Sequence, residues 1–337
     1  MQSRPFLLVL RTAVVACVVN GAAAYAQPNP FPPNPYRLLE WALQLPSGMK
    51  LGQVVAADPA PDGSIYIVHR CDTNCIDSSV APIIKVDASG KLLRSWGEGM
   101  FVWPHGGTVD REGNLWVADA VSPSGAPPKP AGAKGHTVTK FNPDGKVLMT
   151  LGKPGVPGTG PDTFNAPTDV AIGPNGDIYV SDGHGVKTNA RIVKFSRDGR
   201  FVKAWGSQGS GRDNLDGPHA LEVGPDGRVY VADRGNNRIT VLDADLNVVA
   251  LWTQLGRPSG VAIDRNGTIY VSDTQPTTDR PGWRNGIYVG STSDGKVTGF
   301  IPPVDEKGSM EGVAIDAAGN IYASDVDGRT VKKFSKR

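Results

Sequence analysis

The feature that most restricts how this chain can fold is an internal repeat. Five segments, residues 105–119, 168–182, 219–233, 259–273 and 311–325, superpose without gaps, each ending fourteen positions on in an aspartate. A sixth copy, residues 55–69, keeps the length but ends in His69. Within each copy two alternating apolar runs flank a Gly-containing turn, as in Val170-Ala-Ile, Asn175-Gly176 and Ile178-Tyr-Val, which is hairpin chemistry. A variable loop follows, then a third strand such as Arg191-Ile-Val-Lys-Phe195, a turn at Asp198-Gly199 and a fourth strand, Phe201-Val-Lys-Ala-Trp205. Each repeat therefore predicts a four-stranded blade. A single blade cannot bury both its faces, so the expected fold is all-β, a six-bladed β-propeller of radially stacked blades around a central channel.

The last repeat stops after Thr330-Val-Lys-Lys-Phe334 and lacks a fourth strand, while residues 37–45 form an unmatched strand pattern near the N-terminus. The N-terminal strand is thus expected to complete the last blade and lock the ring. The 42 glycines, 28 prolines and only 7% aromatic residues suit many short strands joined by turns. A single propeller is predicted over residues 36–337, preceded by a Pro-rich leader at 27–35 and a signal peptide at 1–26. The signal is read from basic Arg4 and Arg11, the apolar stretch 12–24 and the small-residue site Ala24-Tyr25-Ala26. Cleavage after Ala26 implies a secreted or periplasmic protein. Val14-Val15-Ala16-Cys17 loosely fits a lipoprotein box, but apolar sequence continues past Cys17 to a better cleavage site. No later run approaches the roughly 20 apolar residues of a membrane span.

Removing residues 1–26 leaves basic and acidic residues equal at 33 each, which gives no electrostatic support for nucleic acid or anionic membrane as a partner. Two cysteines remain, in Cys71-Asp72-Thr73-Asn74-Cys75. In an oxidising compartment this spacing reads as an intraloop disulfide, with a metal site as the alternative.

Equivalent residues of the six repeats converge on the channel where the innermost strands begin: Val55, His105, Thr168, His219, Ser259 and Glu311. Blades two, four and six lie about 120° apart in an ideal sixfold ring. His105, His219 and Glu311 are therefore expected to form a triangle about the axis, a donor set that suits one divalent metal, zinc or alternatively iron. The aspartates at 119, 182, 233, 273 and 325 recur on nearly every blade, and repetition points to turn organisation. Departures from the repeat are more specific. Arg70 and Arg234 follow the terminal residues of blades one and four, and His184 follows Gly183 in blade three. Two arginines and a histidine around the metal would suit an anionic substrate and proton transfer. His69 has no such placement, and His136 in the long loop is expected to face solvent.

At these residues the chain, an array of NHL-like repeats, resembles the peptidyl-α-hydroxyglycine α-amidating lyases, the lyase domain of peptidylglycine amidating enzymes. The resemblance rests on Leu51-Gly-Gln-Val54, His69-Arg70, Pro104-His105-Gly106, Pro167-Thr-Asp-Val170, Ser181-Asp-Gly183, Arg191-Ile-Val-Lys-Phe195, Pro218-His219 and Ala232-Asp-Arg234. It implies zinc held by His105 and His219, with Arg70 and Arg234 engaging the substrate. Glu311 stands where that family has a third histidine, His184 where it has a proposed tyrosine base, and Gly312 where it has an aspartate of a structural calcium site. Backbone carbonyls near Val54 and Gly107 are what remain for calcium. The expected function is a metal-dependent lyase that cleaves an α-hydroxyglycine-like carbinolamide, a small anionic or peptide-derived substrate, to an amide and glyoxylate, with His184 as base. A non-catalytic binding propeller and a lactonase-like metal hydrolase are the alternatives.

Overall fold

The computed structural model describes residues 31–122, 132–185, 187–275, 282–305 and 308–337. The predicted signal segment and the tip of the long second-blade loop fall outside them. Among the described residues the fold is entirely β, with six four-stranded antiparallel sheets arranged as a β-propeller. The innermost strands are β2 (Val54–Pro59), β6 (Pro104–Val109), β10 (Pro167–Ile172), β14 (Pro218–Val223), β18 (Pro258–Ile263) and β22 (Met310–Ile315). No helix among these residues is long and apolar enough to cross a membrane.

Burial explains why the blades stack. Each second strand is wholly buried in its core positions, as in Ile65–His69 and Val229–Asp233, and alternate residues face opposite neighbours. One apolar core sits at each junction. Tyr66 and Val68 of blade one meet Val117 and Phe141 of blade two, and the sixth junction joins Tyr322 and Val331 of blade six to Ile65 and Ile84 of blade one. Tyr66 and Tyr179 also donate their hydroxyls to carbonyls of the next blade, Gly113 and Ala244, each at 3.1 Å. Radial stacking thus satisfies polar as well as apolar groups.

The ring closes as expected, through a shorter strand than the sequence pattern suggested. β1 (Tyr36–Leu38) pairs antiparallel with β24 (Thr330–Lys336), Tyr36 opposite Lys336. The chain then leaves the sheet and straps blade six to blade one: Trp41 packs edge-on against Tyr322, and Gln44 exchanges backbone hydrogen bonds with Gly90 and Leu92. The apolar residues Trp41, Leu43 and Leu45 that mimicked a strand instead cover the junction core. The described end of the leader also docks, with Phe31 against Phe300 at 4.4 Å between ring centroids.

The recurring aspartates act as staples. Asp119 accepts from the backbone of Val102 and Trp103, Asp182 from Asn165, Asp233 from Asp216, Asp273 from Arg257 and Asp325 from Ser309. Each pins the segment entering its own inner strand. In blade one His69 takes over this role, since its Nδ1 accepts from Gly52 and Cys71. Cys71 and Cys75 form a disulfide in the loop that follows. His136 departs from expectation: it is buried rather than solvated, and its Nδ1 accepts from the Ala166 backbone at 3.3 Å.

Candidate metal centre and its arginine rim

Every inner strand has a β-bulge at its second residue, between Pro104 and Gly106, Pro218 and Leu221, and Met310 and Gly312 for instance. A bulge re-aims the extra side chain, which is how these positions reach the axis although strand alternation alone would not send them there. His105, His219, Ser259, Glu311 and Val55 accordingly line the channel. Close approach of the inner strands demands glycine beside them: a Cβ on Gly106 would lie 2.5 Å from the Thr168 carbonyl oxygen.

That proximity fixes the two predicted imidazoles. His105 Nδ1 bonds the Thr168 carbonyl at 2.9 Å and His219 Nδ1 bonds the Ser259 carbonyl at 2.8 Å. A carbonyl only accepts, so Nδ1 carries the proton in each ring and Nε2 presents a lone pair. Both Nε2 atoms are buried without a hydrogen-bond partner among the described residues. Glu311 Oε1 lies 3.6 Å from each of them. Burial, reinforced by Arg70 for His105 and Arg234 for His219, holds both imidazoles well below their ordinary pKa and hence neutral. Two imidazole lone pairs and a carboxylate oxygen thus meet, an arrangement that a shared cation would stabilise. The spacing suits a tetrahedral ion, whose ligand atoms at about 2.1 Å from the metal stand about 3.4 Å apart.

His184 joins the same cluster. One nitrogen from each of His105, His184 and His219 lies within 4.8 Å of the others. Gly183 makes this possible: it turns the chain at φ 130°, and a Cβ there would overlap the Asn189 carbonyl. Trp103, which the sequence reading missed, walls the cluster. Its ring contacts His105 and His184 and carries the Arg70 guanidinium 3.8 Å above its centroid. Arg70 is fully engaged, donating to the carbonyl of Pro104, to Gln53 Oε1 and to Glu311 Oε1.

Arg234 is differently placed. Its Nη2 donates to Gln275 Oε1 at 2.6 Å, and its buried Nε has no partner among the described residues. Arg257 converges on the same amide oxygen at 3.2 Å. Burial lowers the pKa of Arg234 to about 10, so it stays charged at neutral pH. Deeper in the channel stand Asp58 and Glu222, which share the fourth position of their repeats, and Asp169, which holds the second, acids that the sequence reading did not single out. The channel cavity, about 70 Å³, has room for a few waters, and the arginines stand outside its lining.

The NHL repeat family matches residues 164–195 and 215–242, the third and fourth blades. Human NHL repeat-containing protein 3 is 30% identical over 81% of this chain and 76% of its own length. Peptidyl-alpha-hydroxyglycine alpha-amidating lyase 1 of Drosophila melanogaster is 38% identical over 57% of this chain and 38% of its length. Peptidyl-glycine alpha-amidating monooxygenase A of Xenopus laevis is 31% identical over 85% of this chain, which spans about a third (32%) of that protein. Among solved structures, a gluconolactonase of Xanthomonas campestris superposes with a TM-score of 0.58, covering 93% of this chain and 99% of its own at 16% identity, a likeness of fold alone. The repeats, the closed six-bladed ring and these relatives place the chain in the NHL-repeat β-propeller family, where it resembles the peptidyl-α-hydroxyglycine α-amidating lyases.

Proposed function

We propose that the protein is an exported, metal-dependent carbon–nitrogen lyase acting on an α-hydroxyglycine-like carbinolamide. The observation that carries this reading is the meeting of two neutral imidazole lone pairs and a carboxylate oxygen beside a rim of arginines. His105 and His219 would hold the metal, zinc or alternatively iron, with Glu311 and His184 as the further donors in reach. When bound, the metal supplies a Lewis acid that lowers the pKa of the substrate hydroxyl. The weak case for calcium rests only on backbone carbonyls near Val54 and Gly107, since Gly312 offers no side chain.

The chain's own residues then divide the work. Arg234, with donors to spare, grips the substrate carboxylate, and Arg70 stands as a fixed positive charge beside the site. A group at the channel mouth accepts the hydroxyl proton. The hydroxyl electrons form the carbonyl of glyoxylate, the C–N bond breaks, and its electron pair goes to the amide nitrogen, which takes up a proton. His184 is the base that the sequence points to. Trp103 keeps bulk water from the imidazole side.

The disulfide and the predicted signal peptide at 1–26 support export. The rival reading is a binding propeller without chemistry, since a propeller fold does not by itself fix an activity. Elemental analysis of the purified protein, with an assay for glyoxylate release from an N-acyl-α-hydroxyglycine, decides between them. One zinc or iron per chain and glyoxylate formation lost on chelation are expected. Protein that is metal-free and inert points to binding.

A further inference from the structure

We infer that His184, rather than Glu311, supplies the third protein ligand of the metal proposed above, and that Glu311 is the carboxylate that takes the substrate proton. This rests on the metal-dependent reading and assigns roles within it. Three imidazoles of this chain offer nitrogens within 4.8 Å of one another, and they come from three successive blades. The rings of His184 and His105 are 4.8 Å apart at their centroids, and those of His184 and His219 5.0 Å. A cation seated between the lone pairs of His105 and His219 is therefore also within the reach of His184.

Glu311 is placed for a different task. Its Oε1 accepts from Arg70 Nη2 at 3.4 Å, so the carboxylate has a permanent cationic partner with or without a metal. Arg70 is itself held by Gln53, by the Pro104 carbonyl and by the face of Trp103, which makes that partner rigid. No hydrogen bond among the described residues engages either ring nitrogen of His184, so nothing there competes with a metal for its lone pair. Accessibility sets Glu311 apart from two of the three imidazoles: its side chain is 15% exposed against 3% for His105 and 2% for His219, while His184 is half-buried as Glu311 is. A proton acceptor must return its proton to solvent or product, which a partly exposed carboxylate can do. His184 sits on the loop after β11 (Ile178–Asp182), so blade three brings the third imidazole to the cluster.

The test uses the full exported chain, its metal content and the visible spectrum of its cobalt-substituted form. His184→Ala, with His184→Gln as the variant that best preserves packing, is expected to lower bound metal from one per chain to below about a tenth at equal melting temperature. Glu311→Gln is expected to keep one metal per chain and the cobalt spectrum while turnover falls about 100-fold or more, the scale of a lost general base. Metal lost in Glu311→Gln but retained in both His184 variants overturns the assignment. So does metal retained in all three variants. A wild-type chain that binds no metal overturns the lyase reading itself, a result distinct from either pattern among the variants.

Discussion

The channel has two tiers built on the same inner strands, and their chemistry is opposite. At the mouth His105 and His219 send lone pairs toward Glu311 Oε1, with no hydrogen bond donated to either Nε2. Deeper, each acid has a backbone partner: Asp58 accepts from Val109, Asp169 from Leu221 at 3.2 Å and Glu222 from Val223 at 2.8 Å. Burial drives both tiers toward neutrality, lowering the imidazoles and raising the carboxyls to about 6 for Asp58, 7 for Asp169 and 8 for Glu222. The lower tier can satisfy itself by holding protons. In the upper tier each imidazole has committed its proton to a carbonyl at Nδ1, and burial disfavours a second one at Nε2. The unpartnered Nε2 lone pairs of the upper tier are what the proposed cation would satisfy.

Opening the ring destroys both tiers and carries the largest expected effect. Tyr36 is buried against Tyr270, with hydroxyls 2.7 Å apart, and Trp41 covers the junction of blades six and one. Burial of two such side chains is worth about 1.5–3 kcal/mol each, so removing residues 36–45 should cost at least about 3 kcal/mol, before counting the exposed edge of β24. Differential scanning calorimetry should show a lowered or lost cooperative transition. An unchanged melting profile would mean that the strap does not close the ring.

His105→Ala and His219→Ala separate the tiers by dismantling only the upper one. Turnover should fall on the order of 10³-fold, the loss of several kcal/mol of Lewis-acid assistance, and metal should be absent from protein that retains its circular dichroism spectrum. Full metal occupancy in the double variant, measured by elemental analysis, would sink the upper tier as a metal centre.

The convergence of His105, His219 and Glu311 was legible in the sequence because they hold one aligned position of the repeat, at the start of alternate inner strands. What the alignment could not supply was the bulge that turns those side chains to the axis, or the 2.9 Å bond that fixes the His105 tautomer. Trp103 and Gln275 lie outside the repeat frame, and their contacts with Arg70 and Arg234 join segments far apart in the chain. His136 was misread for the same reason: a histidine beside a long Pro- and Gly-rich loop looks exposed until the Ala166 backbone is seen to bind it. The ring closure was readable from a missing strand, but not its length, because the apolar spacing of a strap over a core imitates that of a strand.

The lower tier should write itself into the pH dependence of stability. Its carboxyls have folded-state pKa values above their ordinary values of 3.8 for aspartate and 4.5 for glutamate. The native state therefore keeps protons that the unfolded chain has released. The resulting stability is fully present below about pH 4 and is lost as pH rises through about 6 to 8, at about 1.4 kcal/mol per pH unit for each group within its window. Asp169→Asn should flatten this decline in urea melts between pH 5 and 9 while leaving metal content at one per chain. If the slope is unchanged, the lower carboxyls are not held protonated. If metal is lost as well, the two tiers are not chemically separate.

The smallest expected effect is at the rim, where substrate first meets the upper tier. Arg234 and Arg257 share Gln275 Oε1, at 2.6 and 3.2 Å, and a neutral amide oxygen is a weak partner for two guanidinium groups. A substrate carboxylate, charged and with two oxygens, would displace it and bind both arginines. Arg257 has no contact with His105, His219 or Glu311 among the hydrogen bonds and ion pairs of the described residues, so its loss should not disturb the metal. Arg257→Ala should raise KM about 10-fold or more, corresponding to the 1.5–3 kcal/mol of a hydrogen bond to a charged group, with kcat close to wild type. The rise should vanish for a substrate whose carboxylate is replaced by a primary amide, because the neutral group gains little from a second guanidinium. An equal rise in KM for both substrates would assign Arg257 to general packing of the rim, and a fall in kcat alone would place it in the chemistry of the upper tier instead.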